Sequence, residues 1–160
     1  RDWSSDVCSS DLGLWLARKP DDYFDVAWRR ETGGGPILIN AIHDIDCLRM
    51  LAGDIDSVQA SIGSAARGFP VEDTAAAVLR FANGALGTLT VSDAVSAPWS
   101  WEWTSQENSF YPHEPRDCYL IAGTRGSLAV PSLEHGWHET GQGWGQALTR
   151  RRFDVAPADP

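Results

Sequence analysis

Residues 73–94, DTAAAVLRFANGALGTLTVSDA, alternate apolar with polar side chains on both sides of an Asn-Gly pair, and no other feature limits the possible folds so sharply. Period-two alternation puts every second side chain on one face of a strand, and an Asn-Gly pair between two such runs closes them into a hairpin. Both residues tolerate positive φ, so a two-residue type I′ turn is expected at Asn83 and Gly84. The sheet is therefore antiparallel at this point. SVQASIGSAAR at 57–67 reads as a strand preceding the hairpin.

Upstream of these strands the period is that of a helix. In PILINAIHDIDCLRMLAG, residues 36–53, the positions Leu38, Ala41, Ile42, Ile45, Leu48 and Ala52 recur at the spacing of one helix face. Pro36 suits the first turn and Gly53 the stop. Shorter strands are expected to end at 13–17, to pair as DCYLIAGT with GSLAVPS across Arg125 and Gly126, and to recur in GWHET and ALTRRRFDV. One major helix packed on an antiparallel sheet makes the chain α+β.

The chain has 160 residues, 42% of them apolar, which suffices for one domain with a core of its own. A net charge of −9 repels phosphate backbones and anionic lipid, so the expectation is no nucleic acid and no membrane partner. Nor is there an apolar run of the length that spans a bilayer. Cys8, Cys47 and Cys118 are odd in number and form no C-x-x-C pair, which fits a reduced, cytoplasmic setting. In APWSWEWTSQENSFYPHEP, Trp99, Trp101 and Trp103 alternate as on one face of an extended segment. Such a face serves a core strand, a sugar-stacking wall or a subunit interface.

Among residues that carry chemistry, His43 stands first. It lies in the helix with Asn40 three residues before it and Asp46 three after, a polar stripe beside the apolar one. A histidine held by a nearby carboxylate is suited to proton transfer, and a solvated surface histidine is the plainer alternative. His135 and His138 lie three apart in a segment of strand character, which separates them across the sheet and argues against a metal site. G-T-R-G and G-Q-G-W-G read as turn glycines rather than phosphate loops, and no G-x-S-x-G marks a serine nucleophile.

Several motifs in order resemble one family. The glycine cluster Gly33 to Gly35, the helical H-x-x-D of His43 and Asp46, the run Leu48 to Leu51 and Gly53-Asp54-Ile55 are followed by VEDTAAAVLRFANGALGTLTVS and YLIAGTRGSLAV. Together they resemble the substrate domain of the glucose-fructose oxidoreductase, inositol dehydrogenase and rhizopine-catabolism (Gfo/Idh/MocA) family. The resemblance implies an open, predominantly antiparallel sheet with the helix on one face, and homo-oligomers built through the open face. It also implies an NAD or NADP-dependent oxidoreductase acting on a sugar, polyol or cyclitol. The Rossmann dinucleotide-binding domain with its G-x-G-x-x-G and E-K-P motifs is expected to be missing from this chain, which would then be inactive alone. Carried over by position, His43 corresponds to the family's catalytic histidine, and Trp28, Arg29, Asn40 and Asp46 fall where substrate contacts lie. Many members have Asp four residues before the histidine. That position here is Ile39, and Asn40 beside it cannot exchange a proton.

The same fold also implies two alternatives, an NAD-dependent glycosidase and a non-catalytic assembly subunit. Glycoside cleavage without net cofactor consumption would mark the first, and lack of the E-K-P lysine the second. The opening DWSSDVCSSDL has no counterpart in the family and resembles translated sequencing-library adapter. Residues 1–12 are thus expected to be foreign to the domain, which would run over 13–160 and be cut at both ends.

Overall fold

The computed structural model describes residues 8–155. Its sheet comprises β1 (Cys8–Arg18), β2 (Ile55–Gly63), β3 (Thr74–Phe81), β4 (Leu86–Ser92), β5 (Ala94–Trp99), β6 (Tyr119–Gly123), β7 (Ser127–Val130), β8 (Glu134–Trp137) and β9 (Thr149–Arg152). Strands run in the order β2-β3-β4-β1-β6-β7-β8-β9, with β5 pairing β1 off that path. Neighbours are antiparallel except β1 and β4, which are parallel because β1 precedes the helix and enters the sheet between β4 and β6. The helix α1 (Ile42–Ala52) crosses one face. The molecule is therefore the α+β, open and mostly antiparallel arrangement that the family resemblance implies. Of the opening residues 1–12, residues 1–7 lie outside those described.

The core lies between α1 and the sheet. Trp15 of β1, Leu79 and Phe81 of β3, Leu89 and Val91 of β4 and Tyr119 of β6 are buried there with Ala41, Leu48 and Ala52. Leu48 sits over Gly13, where an added Cβ would lie 3.1 Å from methyl carbons of both Leu48 and Leu89. Glycine in β1 thus opens the slot that seats the helix.

Several local expectations are corrected. First, the buried row of the helix is Ala41, Asp44, Leu48 and Ala52, while Leu38 and Ile42 of the expected face are exposed. The cause is the segment Ile37–Ala41, which is wound as a π-helix, with five-residue hydrogen-bond spacing, before α1 begins. That wider turn rotates the face away from a uniform 3.6 count. Second, β1, which ends at Arg18 close to the expected 13–17, takes in Cys8 to Leu12, where the sequence shows no apolar repeat, because Ser10, Asp11 and Leu12 pair with β4 on one side and β6 on the other. Backbone pairing on both edges holds these polar residues in a strand that side-chain patterning does not signal. Third, β5 ends at Trp99 and the short helix α2 (Trp101–Thr104) follows, so the three tryptophans do not share one extended face. The Thr104 hydroxyl donates to the Ser100 carbonyl at 2.9 Å and closes that turn. Strands β8 and β9 also begin and end at other residues than GWHET and ALTRRRFDV suggest.

Fourth, the β3–β4 turn is longer than expected. Phe81 N–H donates to the Ala85 carbonyl and Gly84 N–H to that of Phe81, both at 2.9 Å, leaving Ala82, Asn83 and Gly84 as the loop. Gly84 alone takes positive φ, at 89°, so this is a three-residue hairpin loop closed by a left-handed glycine. The side chain of Asn83 is released for another task. Its Nδ2 donates to the Ala52 carbonyl at 2.8 Å, satisfying the end of α1, while Oδ1 accepts from Ala85 N–H at 3.0 Å. Asn83→Ala is expected to cost about 1 kcal/mol in urea denaturation. Asn83→Asp, which keeps the acceptor and loses the donor, should fall between the two.

Candidate active site

The approach to α1 is shaped by three glycines, each for its own reason. Gly33 has φ of 91°, in the left-handed region. A Cβ on Gly34 would collide with the Trp28 carbonyl, and one on Gly35 with the Glu72 carboxylate. The run therefore packs under the turn Ala27–Arg30 and against the loop before β3. Glu72 Oε1 accepts the Ile37 N–H at 3.2 Å, placing a carboxylate at the start of the helical segment.

This packing seats Trp28 and Arg29 on the glycine run that leads into the segment carrying Asn40 and His43. Trp28 is half exposed. The Arg29 guanidinium stacks 3.9 Å from the centre of the Tyr23 ring, and its Nη1 donates to the Tyr23 carbonyl at 2.8 Å. Two polar atoms here are buried without a hydrogen-bond partner, Arg29 Nε and Asn40 Oδ1. One is a donor and the other an acceptor. His43 is exposed on α1 one helical turn beyond Asn40. Asp46 is also exposed, and its charged neighbour is Arg49 at 4.0 Å rather than His43.

Sequence reading missed a second layer. Asp44, beside His43, is buried and accepts a hydrogen bond from the Tyr119 hydroxyl at 2.5 Å. Burial lifts its carboxyl to about 6, against the lowering effect of that bond, with the Glu102 charge adding to the rise. Glu102 of α2 accepts from the Trp15 indole N–H at 3.0 and 3.1 Å. Lys19, just past β1, lies 4.8 Å from the Tyr23 ring centre and 3.6 Å from the Asp93 carboxylate, and burial pushes its amine down. The available signal was positional. Asp44 occupies the row of Ala41, Leu48 and Ala52, so its carboxylate had to find a buried partner.

His135 stacks on Trp137 within β8 at 4.9 Å, and His138 follows the strand. Among the described residues, no group of three His, Cys, Asp or Glu side chains is placed to hold a metal. Among the described residues the sheet is mostly antiparallel and no Rossmann domain is present. No described helix is long and apolar enough to cross a membrane.

The model of the GFO/IDH/MocA C-terminal domain matches residues 13–129. The chain belongs to the Gfo/Idh/MocA family. Among solved members, the WlbA dehydrogenase from Bordetella pertussis, in complex with NADH and UDP-GlcNAcA, is 28% identical with a TM-score of 0.60, over 77% of this chain and 33% of that one. WlbA from Chromobacterium violaceum, with the same two ligands, is 26% identical with a TM-score of 0.59, over 78% of this chain and 32% of its own. Levoglucosan dehydrogenase shares the fold at 19% identity, with a TM-score of 0.63 over 92% of this chain and 40% of that one. The chain thus spans about a third of the length of the WlbA enzymes. No curated protein sequence matches it.

Proposed function

We propose that this Gfo/Idh/MocA chain is the substrate-binding part of an NAD or NADP-dependent oxidoreductase that interconverts a hydroxyl and a ketone on a sugar, polyol or cyclitol. The observation that carries this reading is the pair of buried, unpartnered atoms at Arg29 Nε and Asn40 Oδ1, in the segments that flank the approach to His43. Buried polar groups rarely stay unsatisfied, and a substrate hydroxyl both accepts and donates. In this reading Trp28, Arg29, Asn40 and Asp46 line the substrate, and His43 accepts the hydroxyl proton as the carbon is oxidised. The nicotinamide, held by residues other than these, takes the hydride. The complexes of WlbA with NADH and UDP-GlcNAcA support the same class of chemistry.

Assembly into homo-oligomers through the open face is part of the proposal. Val78, Leu86 and Leu120 are exposed apolar residues on the side of the sheet away from α1. The test of the activity is the rise in absorbance of reduced nicotinamide when the intact protein meets a panel of sugars, polyols, cyclitols and nucleotide sugars. Reduction of cofactor by one class of these supports the reading. Absence of reduction across the panel overturns it, and glycoside release without net reduction replaces it with the glycosidase.

A further inference from the structure

Lys19 adds a third buried atom without a hydrogen-bond partner: its Nζ stands with Arg29 Nε and Asn40 Oδ1. The ammonium lies 5.5 Å from the centre of the Trp15 ring, which faces α1 in the core, and 4.8 Å from that of Tyr23. Arg29 packs on the same Tyr23 ring at 3.9 Å, so one aromatic side chain gathers both cations.

The carboxylates around Lys19 are already committed. Asp93, 1% exposed, accepts from Arg67 Nε at 3.1 Å and stands 3.6 Å from Lys19 Nζ, beyond hydrogen-bond reach. Arg67 pairs in turn with Asp21 at 3.6 Å. Lys19, Asp93, Arg67 and Asp21 therefore balance one another in charge, and Arg29 is the surplus. Among the described residues its contacts are the Tyr23 carbonyl and the rings of Tyr23 and Trp28, with no carboxylate. Burial pushes the Lys19 amine down, the Asp93 charge lifts it, and the guanidiniums of Arg67 and Arg29 press it down again. Charged donors held out of water and unmet are costly, and an anion brought to them offsets that cost.

We propose that Lys19 and Arg29 form a carboxylate-binding subsite, and that the substrate is therefore a sugar acid. Arg29 Nη1 is taken by the Tyr23 carbonyl, which leaves the Nε edge, the side of a guanidinium that receives both oxygens of a carboxylate. A single surplus positive charge matches a monoanion rather than a doubly charged phosphate. The carboxylate thus meets Arg29 and Lys19, and the substrate hydroxyl is left to Asn40 Oδ1. That the anion belongs to a substrate rests on the proposed dehydrogenase reading, whereas binding of the anion is a property of this chain alone.

The test is an NMR titration of the 160-residue chain, following the Arg29 Nε–H signal, with glucuronate, galacturonate and mannuronate against the neutral sugars glucose, galactose and mannose. At least one hexuronate is expected to shift that signal saturably, and its neutral parent to leave it in place. Lys19→Met, in which Asp93 keeps its bond to Arg67, should weaken that binding about tenfold or more. Lys19→Arg, which keeps the charge, should retain most of it, and decides the role of Lys19 if the methionine variant does not fold. No response to any hexuronate, an equal response to acid and neutral sugar, or binding undiminished in Lys19→Met overturns the proposal. Tighter binding of glucose 6-phosphate than of every hexuronate overturns the assignment to a carboxylate. Because no cofactor takes part, these failures are separate from failure of the turnover assay.

Discussion

On the proposed dehydrogenase reading, replacing His43 by Ala in the intact protein is expected to lower turnover by about 10²–10⁴, the usual contribution of a positioned acid–base group. The affinity for the cofactor should stay nearly the same. His43 is exposed on α1 and takes no part in the core cluster, so its loss removes no packing. A drop in kcat with little change in KM would place its interaction in the transition state rather than in substrate binding. The departure at Ile39 raises the stake. In the proposed reading, with no acid one helical turn before the histidine, Asn40 supplies hydrogen bonding alone and His43 is the proton acceptor this segment contributes. Steady-state kinetics of the purified variant decides the matter, and a change of less than tenfold removes His43 from the mechanism.

The sheet was legible because alternation is a local signal: each residue of β3 and β4 declares its face independently of what lies opposite. The glycine cluster was legible as well, although its reasons were not. Nothing in the string shows that Gly34 meets the Trp28 carbonyl and Gly35 the Glu72 carboxylate, since Glu72 arrives from 37 residues away in sequence. Still greater separation in sequence hid the partners of Asp44 and Lys19. Tyr119 of β6 and Asp93, between β4 and β5, are placed by the order of the sheet, and β1 joins β4 in a register that side chains do not announce. The site residues read on α1 share a segment and could be seen together, whereas Tyr23 became visible only as the ring beneath Arg29. Asn83 was read correctly as a turn residue and for an incomplete reason, because its amide also serves the end of α1.

Leu48→Ala should destabilise the chain by about 2–5 kcal/mol, whereas Leu38→Ala should stay within about 0.5 kcal/mol. A uniform helical count puts both leucines on one apolar face. The π-helical first turn separates them: Leu48 has no exposed surface and Leu38 is 59% exposed. The cavity left by Leu48 would be slow to collapse, because its floor is the backbone of β1 at Gly13, paired on both sides. Urea denaturation of the two variants, with the slope unchanged, measures the difference directly. Gly13→Ala supplies the complementary change. Its new Cβ would press on methyl carbons of Leu48 and Leu89 at 3.1 Å, so that variant alone should also be destabilised. Combined with Leu48→Ala, the added methyl enters space the leucine has vacated, and the double variant should lose less than the two single losses together. Additive losses would mean that Gly13 does not form the seat of the helix, and equal losses at Leu38 and Leu48 would restore the uniform face.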